Sequence, residues 1–243
     1  MIEPMNALVT GASSGIGLEI TKKLLEMGIS VYGVSRTNPG DKLPQENFHF
    51  IEADLSNSKD MQDKLIPLSK SIPNINILIN SAGVGIFGLH EELDFKELEN
   101  MMYLNLVTPI LITRIFLRKM KKIKGTIINI SSMTSKKSSP LASAYSATKA
   151  GLSKFGESLF EEGRKSGLRV INIHPDITKT NFYNNSWFKE EDNPLAYLFS
   201  EDISKLLPAL LNSREGVVIS DITIQPQLHR IHRKGKTDPN KGE

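Results

Sequence analysis

The chain contains no cysteine in its 243 residues. That absence excludes disulfides, thiolate catalysis and cysteine zinc sites, and it fits a reducing compartment. Histidine is sparse: His49, His90, His174, His229 and His232 show no metal-ligand spacing, and only the last two lie close together. No metal is expected. No apolar run approaches the roughly 20 residues that span a bilayer. The start, Met1-Ile2-Glu3-Pro4-Met5, runs into Ala7-Leu8-Val9 without the basic segment and apolar core of a secretory signal. The expectation is a cytoplasmic protein with no membrane partner. The net charge of +3 is too small to argue for nucleic acid.

What is present is an alternation of short apolar runs and amphipathic segments. Strands are expected at Asn6–Thr10, Ser30–Ser35, Phe48–Glu52, Ile75–Asn80, Thr126–Ile130, Arg169–Ile173 and Val217–Ile224. Several are nearly continuous Val, Ile and Leu, as in parallel strands covered on both faces. Helices are expected at Gly17–Met27, Ser58–Ser71, Phe95–Lys121, Ser143–Lys165 and Glu201–Leu211. This order implies an α/β fold of Rossmann type: a doubly wound parallel β-sheet in three α/β/α layers. One domain is expected over residues 1–227. Within it, Thr178–Ser200 breaks the pattern with Phe182, Tyr183, Trp187, Phe188, Tyr197 and Phe199. These aromatics either close over an apolar substrate as a lid or pack on a neighbouring helix or a second subunit. The basic, turn-rich end, 228–243, carries Arg230, Arg233, Lys234, Lys236 and Lys241, and is expected to be a solvated, flexible tail.

The first strand is followed by Thr10-Gly11-Ala12-Ser13-Ser14-Gly15-Ile16-Gly17 and then a helix. A glycine-rich turn into a helix N-terminus offers free N–H groups and a positive dipole end to a phosphate. Gly11 permits the tight turn, Gly15 the close approach of backbone, and Gly17 the packing of helix on strand. Gly11, Ser13, Ser14, Gly15, Ile16 and Gly17 are therefore candidate cofactor-binding positions. Where NAD enzymes place a carboxylate on the ribose, the second strand ends instead in Ser35-Arg36-Thr37. A hydroxyl and a guanidinium suit a phosphate, so NADP(H) is expected as cofactor.

Tyr145 and Lys149 stand four apart in a helical segment and share one face. An ammonium beside a phenol stabilises phenolate and is expected to lower the tyrosine pKa, making it an acid or base near neutral pH. Ser132 follows the apolar strand Thr126–Ile130, on the side where doubly wound sheets place ligands. Pro109, four residues after Asn105, has no N–H, so it is expected to free the Asn105 carbonyl and kink the helix.

With these motifs goes Asp54-Leu55, Asn80-Ser81-Ala82-Gly83, and Pro175 followed by Thr180. Their order and spacing over about four-fifths of the chain resemble the short-chain dehydrogenase/reductase family. The resemblance implies that Tyr145 transfers the proton to or from the carbonyl oxygen and that Ser132 holds that oxygen. It implies that Lys149 binds the nicotinamide ribose and keeps the tyrosine pKa low, and that Asn105 holds a water linking Lys149 to solvent. Asp54 and Leu55 would flank the adenine, and Asn80, Ala82 and Gly83 would lie along the cofactor, with Asn80 also bracing the sheet. Pro175, Thr178 and Thr180 would meet the nicotinamide and the phosphates. Helices Phe95–Lys121 and Ser143–Lys165 resemble the family's dimer-forming pair, which implies a homodimer or homotetramer.

Three departures stand out: Ser81 for the usual asparagine, Asp176 for the glycine after Pro175, and Val218–Gln227 for a glycine-rich ending. The Asp176 side chain is expected to point to solvent. The implied activity is NADPH-dependent reduction of a small-molecule carbonyl. The alternatives are an NADP-dependent alcohol or 3-hydroxy-acid dehydrogenase, and a catalytically silent NADP(H)-binding sensor or scaffold.

Overall fold

The computed structural model describes residues 5–44, 46–184, 186–228 and 230–234. Six strands alternate with helices along most of the chain: β1 (Asn6–Thr10), β2 (Ser30–Ser35), β3 (Phe48–Glu52), β4 (Ile77–Asn80), β5 (Thr126–Ile130) and β6 (Arg169–Pro175). A short strand β7 (Phe188–Glu190) follows, then β8 (Asp221–Ile224) and β9 (Ile231–Arg233). Seven of them form one parallel sheet in the order β3-β2-β1-β4-β5-β6-β8. The order reverses between β1 and β4, and that reversal opens a cleft at the carboxyl ends of the strands.

Strand periodicity builds two cores. Ala7 and Val9 of β1 join Ile79, Ile128 and Ile171 beneath helix α1 (Gly15–Glu26). Leu8, between them, joins Leu78, Ile127 and Val170 on the opposite face. There they meet helices α2 (Ser58–Ser71), α4 (Thr108–Lys122) and α5 (Ser143–Gly163) through Met61, Leu65, Ile112, Phe116 and Leu159, with α3 (Phe95–Met102) leading into α4. The expected three-layer arrangement is the one observed.

Strands β4 and β8 begin at Ile77 and Asp221, later than the expected Ile75 and Val217, and three further features differ from expectation. The segment expected as one helix over Glu201–Leu211 divides into α6 (Ser200–Ser204) and α7 (Leu207–Leu211). Pro208 explains the break, because it cannot donate to the carbonyl four residues earlier. The stretch Phe95–Lys122 has the length and mean hydropathy (1.3) of a membrane span, although the sequence was expected to hold none. Its face bearing Met101, Asn105, Ile112, Phe116 and Met120 is buried in the core, which is the position of a core helix. Third, the basic tail is tied down as far as it is described. Ile231–Arg233 pairs antiparallel with Phe188–Glu190, and Lys234 donates through Nζ to the carbonyls of Tyr183 and Asn184 at 2.8 and 2.9 Å. His229, Lys236 and Lys241 lie outside the described residues.

Just before Pro109 the helix departs from regular α geometry. Between α3 and α4, Tyr103–Val107 is a π-turn, and the Thr108 N–H reaches back five residues to the Tyr103 carbonyl.

The sheet is braced at its centre by an asparagine ladder. Asn80 Nδ2 donates to Asn129 Oδ1 at 2.9 Å, Asn129 Nδ2 to Asn172 Oδ1 at 3.0 Å, and Asn172 Nδ2 to the Ser153 carbonyl at 3.0 Å. Gly156 of α5 lies against it: a Cβ there would sit 2.2 Å from Asn172 Oδ1 and 2.8 Å from Asn129 Nδ2. Gly156→Ala should therefore destabilise the protein by about 1–3 kcal/mol, the usual cost of overpacking, despite its better helix propensity. Urea unfolding measures this; a more stable variant would contradict the ladder's role.

Candidate active site

The glycine turn leaves β1 with Gly11 at φ +71° and Gly15 at φ +54°. Both angles favour glycine. A Cβ on Gly17 would fall 2.2 Å from the Gly11 carbonyl oxygen, so the helix can start this close to the strand only without one. At the N-cap of α1, Ser14 makes no side-chain capping bond, and the first turn holds no acidic residue. The positive end of the dipole thus faces the cleft uncompensated. Thr10 joins the two strands of the reversal: its Oγ1 accepts from the amides of Ser81 and Ala82 at 3.0 and 3.1 Å and donates to the Ile79 carbonyl at 3.3 Å.

Two cavities meet at this turn. One of about 450 Å³ is lined by Gly11, Ser14, Gly15, Ile16 and Gly17, and runs past Ala82 and Gly83 to Ser132, Tyr145, Lys149, Pro175, Thr178 and Thr180. The other, about 420 Å³, takes in Ser13, Ser35, Arg36, Asp54 and Leu55. An elongated ligand with a central phosphate fits that pair. Asn80 is the one expected cofactor position on the strands that lines neither; it is spent on the ladder. Asn105 also stays behind the wall. Its side chain clamps the Val84 backbone, accepting from N–H at 2.9 Å and donating to C=O at 2.8 Å.

At the second cavity, Ser35 Oγ donates to the Thr37 carbonyl at 2.9 Å, so its proton is engaged by the loop. Arg36 is exposed and lines both cavities. Lys42 lines the second as well; nothing in its turn-rich surroundings had marked it. The Ser56 hydroxyl, 2.6 Å from Asp54 Oδ1, holds that carboxyl below its ordinary range against the opposing effect of burial, and Arg36 adds to the lowering.

At the other end, Ser132, Tyr145 and Lys149 are all buried and adjoin the first cavity. Ser132 lies beside the Tyr145 phenol, where a hydrogen bond from it favours the ionised form. Its Oγ also accepts from the Thr134 N–H at 3.2 Å and the Thr134 hydroxyl at 3.1 Å. With both lone pairs occupied, the Ser132 proton is left to be donated toward the Tyr145 oxygen and the space beside it.

The expected depression of the Tyr145 pKa by Lys149 is not found. Burial pushes the phenol up to about 12, opposed by the Ser132 hydrogen bond. Burial likewise lowers Lys149 to about 8. Desolvation disfavours the charged form of each. The ammonium is 5.8 Å from the Tyr145 ring centre and donates to the Ile130 carbonyl at 3.0 Å, not to the phenol.

An aromatic wall covers Tyr145. Phe182 of the expected lid lies 5.8 Å from its ring centre, and Phe87 lies 5.2 Å away. Phe87 also packs on Tyr183 and Phe188 at 6.0 and 5.2 Å. Sequence reasoning passed over Phe87 because it sits in a loop with no period. Gly85 makes room for it: a Cβ there would be 2.5 Å from both Phe87 and Phe182. Leu141, at φ +59°, accepts from the Gly88 N–H at 2.8 Å and so holds this loop down. Asp176 does not point to solvent as expected. It lines the first cavity, accepting through Oδ1 from the Ile177 N–H at 2.8 Å and through Oδ2 from Gln225 at 3.4 Å.

The sequence model described as short chain dehydrogenase matches residues 5–191. The chain is 36% identical over 190 residues to the 3-oxoacyl-acyl-carrier-protein reductase FabG of Buchnera aphidicola subsp. Schizaphis graminum, covering 76% of this chain and 78% of the relative. Its fold is similar to an alcohol dehydrogenase of Thermococcus sibiricus complexed with 5-hydroxy-NADP, with a TM-score of 0.84 at 22% identity over 94% of this chain and 98% of that one. It is also similar to the 3-ketoacyl-(acyl-carrier-protein) reductase of Brucella melitensis complexed with NADH, with a TM-score of 0.79 at 21% identity over 92% and 98%.

Proposed function

The chain belongs to the short-chain dehydrogenase family, and on that premise we propose that it is an NADP(H)-dependent oxidoreductase that interconverts a carbonyl and an alcohol, chiefly by reduction. The observation that carries this reading is the pairing of Ser132 with the Tyr145 phenol at the end of the glycine-lined cleft, with Lys149 beside them.

The backbone of Gly11–Gly17 would hold the pyrophosphate, and Arg36 the 2′-phosphate, with Ser35 beside it but its proton held by the loop. Asp54 and Leu55 would flank the adenine. Ala82, Gly83, Pro175, Thr178 and Thr180 would line the nicotinamide half, with Lys149 on its ribose. Bound there, the cofactor supplies or takes the hydride.

The protein's own part is to place the carbonyl carbon and move one proton. Ser132 donates a hydrogen bond to the carbonyl oxygen as negative charge gathers on it. Tyr145, protonated at neutral pH, gives its proton to the same oxygen, and the alcohol forms. Asn105, on the widened turn before Pro109, serves the proton supply to Lys149. The aromatic wall favours an apolar substrate and excludes water.

The test is turnover of purified protein with NADPH across a panel of carbonyl compounds. Apolar aromatic and alicyclic ketones should react faster than charged keto acids. The opposite order would remove the apolar-substrate assignment, and tight NADPH binding without any turnover would favour the sensor or scaffold reading. Asp176 favours a second reading, oxidation of an alcohol or 3-hydroxy acid, because its carboxylate beside the nicotinamide end suits a cationic ring. Tighter binding of NADP+ than of NADPH would support it.

The assembly is a homodimer or homotetramer in the cytoplasm, with α3, α4 and α5 at the contact. Phe95 is 86% exposed, and Met102 and Val107 on the same helical stretch are 39% and 37% exposed. Light scattering should give twice or four times the 27.0 kDa of the chain; a mass of one chain would defeat the assignment.

A further inference from the structure

His174 lies on β6 one residue before Pro175, completely buried, and lines neither cavity of the cleft. Its Nε2 is 2.8 Å from Asp221 Oδ2 on β8. Its Nδ1 is 2.8 Å from Ser135 Oγ and 3.4 Å from the Ser132 carbonyl oxygen. Ser135 Oγ itself approaches the Ser132 carbonyl to 2.6 Å. Asp221 is bonded in addition by Lys136, which also reaches Thr223 Oγ1 at 3.3 Å. The contacts of Nδ1 and of Ser135 meet at the single turn Met133–Ser135 that starts at Ser132, and Lys136, which follows the turn, ties Asp221 to its end.

A proton count orders the network. A carbonyl only accepts, so at 2.6 Å the one proton of Ser135 must point to the Ser132 carbonyl. The Ser135 oxygen can then only accept from His174, which puts a proton on Nδ1. A carboxylate only accepts, which puts a second proton on Nε2. A ring that donates from both nitrogens, to Asp221 and to Ser135, satisfies this arrangement. Burial raises the Asp221 carboxyl, but the hydrogen bonds and charges of Lys136 and His174 outweigh it and leave the carboxyl below its ordinary range.

We propose that His174, charged against Asp221, is the positioning residue for Ser132: through Ser135 it fixes the carbonyl end of the turn whose other end aims the Ser132 hydroxyl at the substrate oxygen. The inference rests on the reading of Ser132 as the group that holds that oxygen. His174 acts through Ser132 and touches neither substrate nor cofactor. Glutamine at this position has its donors on one nitrogen and an acceptor oxygen opposite, so it cannot donate to Asp221 and to Ser135 at once.

The experiment is a double-mutant cycle, with kcat, KM, NADPH affinity and thermal midpoint measured for His174→Gln, Ser132→Ala and the pair. His174→Gln should lower kcat about tenfold, with NADPH affinity within about twofold of wild type, and should lower it little further once Ser132 has been replaced by alanine. Ser135→Ala, which removes only the linking hydroxyl, should show the same dependence on Ser132 and serves if His174→Gln does not fold. Nitrogen-15 spectra of the wild-type imidazole should show protons on both ring nitrogens of His174. Equal losses with and without the Ser132→Ala change, unchanged kcat, or a singly protonated ring would overturn the proposal while leaving the reductase reading intact. A wild type that binds NADPH and turns over no carbonyl overturns that reading and this inference with it.

Discussion

Tyr145→Phe should cost about a thousandfold in kcat for carbonyl reduction, within the range expected when a positioned general acid is lost. The substitution removes one oxygen and leaves the ring. Contacts with Phe87 and Phe182, at 5.2 and 5.8 Å between ring centres, survive it. NADPH affinity, followed by fluorescence titration, should therefore stay within about threefold. That pattern, chemistry lost and binding kept, separates a proton donor from a structural tyrosine. The wild-type pH profile adds a second check. The phenol, pushed up to about 12, stays protonated across the neutral range, so it sets no limit there. Lys149, lowered to about 8, loses its charge as pH rises through that value. The pH profile of kcat/KM should accordingly fall on the alkaline side near pH 8, earlier than an ordinary lysine would allow. A Tyr145→Phe protein that keeps a tenth of the activity would mean that the proton comes from elsewhere, and the assignment would fail.

The frame of the molecule was readable because its signals are local. Short runs rich in apolar residues located β1, β2, β3 and β5 to the residue, and Tyr145 with Lys149 needed only a shared helix face. Pro109 announced the distortion at Tyr103–Val107, and Pro208 carried an equal warning about α6 and α7 that the apolar pattern outweighed. What could not be read depends on distant contacts. His174 was one histidine among five, and its partners lie 39 and 47 residues away. Phe87 has no period to mark it, and the ladder between Phe188–Glu190 and Ile231–Arg233 is only three residues long. The Tyr145 pKa failed for a different reason. The sequence placed a cation four residues away but could not say that both groups are desolvated, nor that the ammonium turns to the Ile130 carbonyl.

Ser35→Asp with Arg36→Ala should reverse the cofactor preference, moving the NADPH-to-NADH ratio of kcat/KM by about a thousandfold. Each charge-assisted hydrogen bond to a phosphate is worth roughly 1.5–3 kcal/mol, or about ten- to a hundredfold. The new carboxylate adds repulsion toward a 2′-phosphate and an acceptor for a ribose hydroxyl. The two positions do not contribute equally. Ser35 has committed its proton to the Thr37 carbonyl at 2.9 Å and can offer a phosphate little, whereas the exposed Arg36 borders both cavities. Arg36→Ala alone should therefore produce most of the loss with NADPH, and Ser35→Ala very little. Lys42 lines the same cavity, and its charge remains in the double variant, so Lys42→Ala added to it should push the ratio further toward NADH. Because Arg36 is exposed, the preference for NADPH should weaken as salt is raised. Steady-state kinetics with both cofactors decide the matter: a ratio that does not move in the double variant would show that the 2′-phosphate is held elsewhere, or that none is held at all.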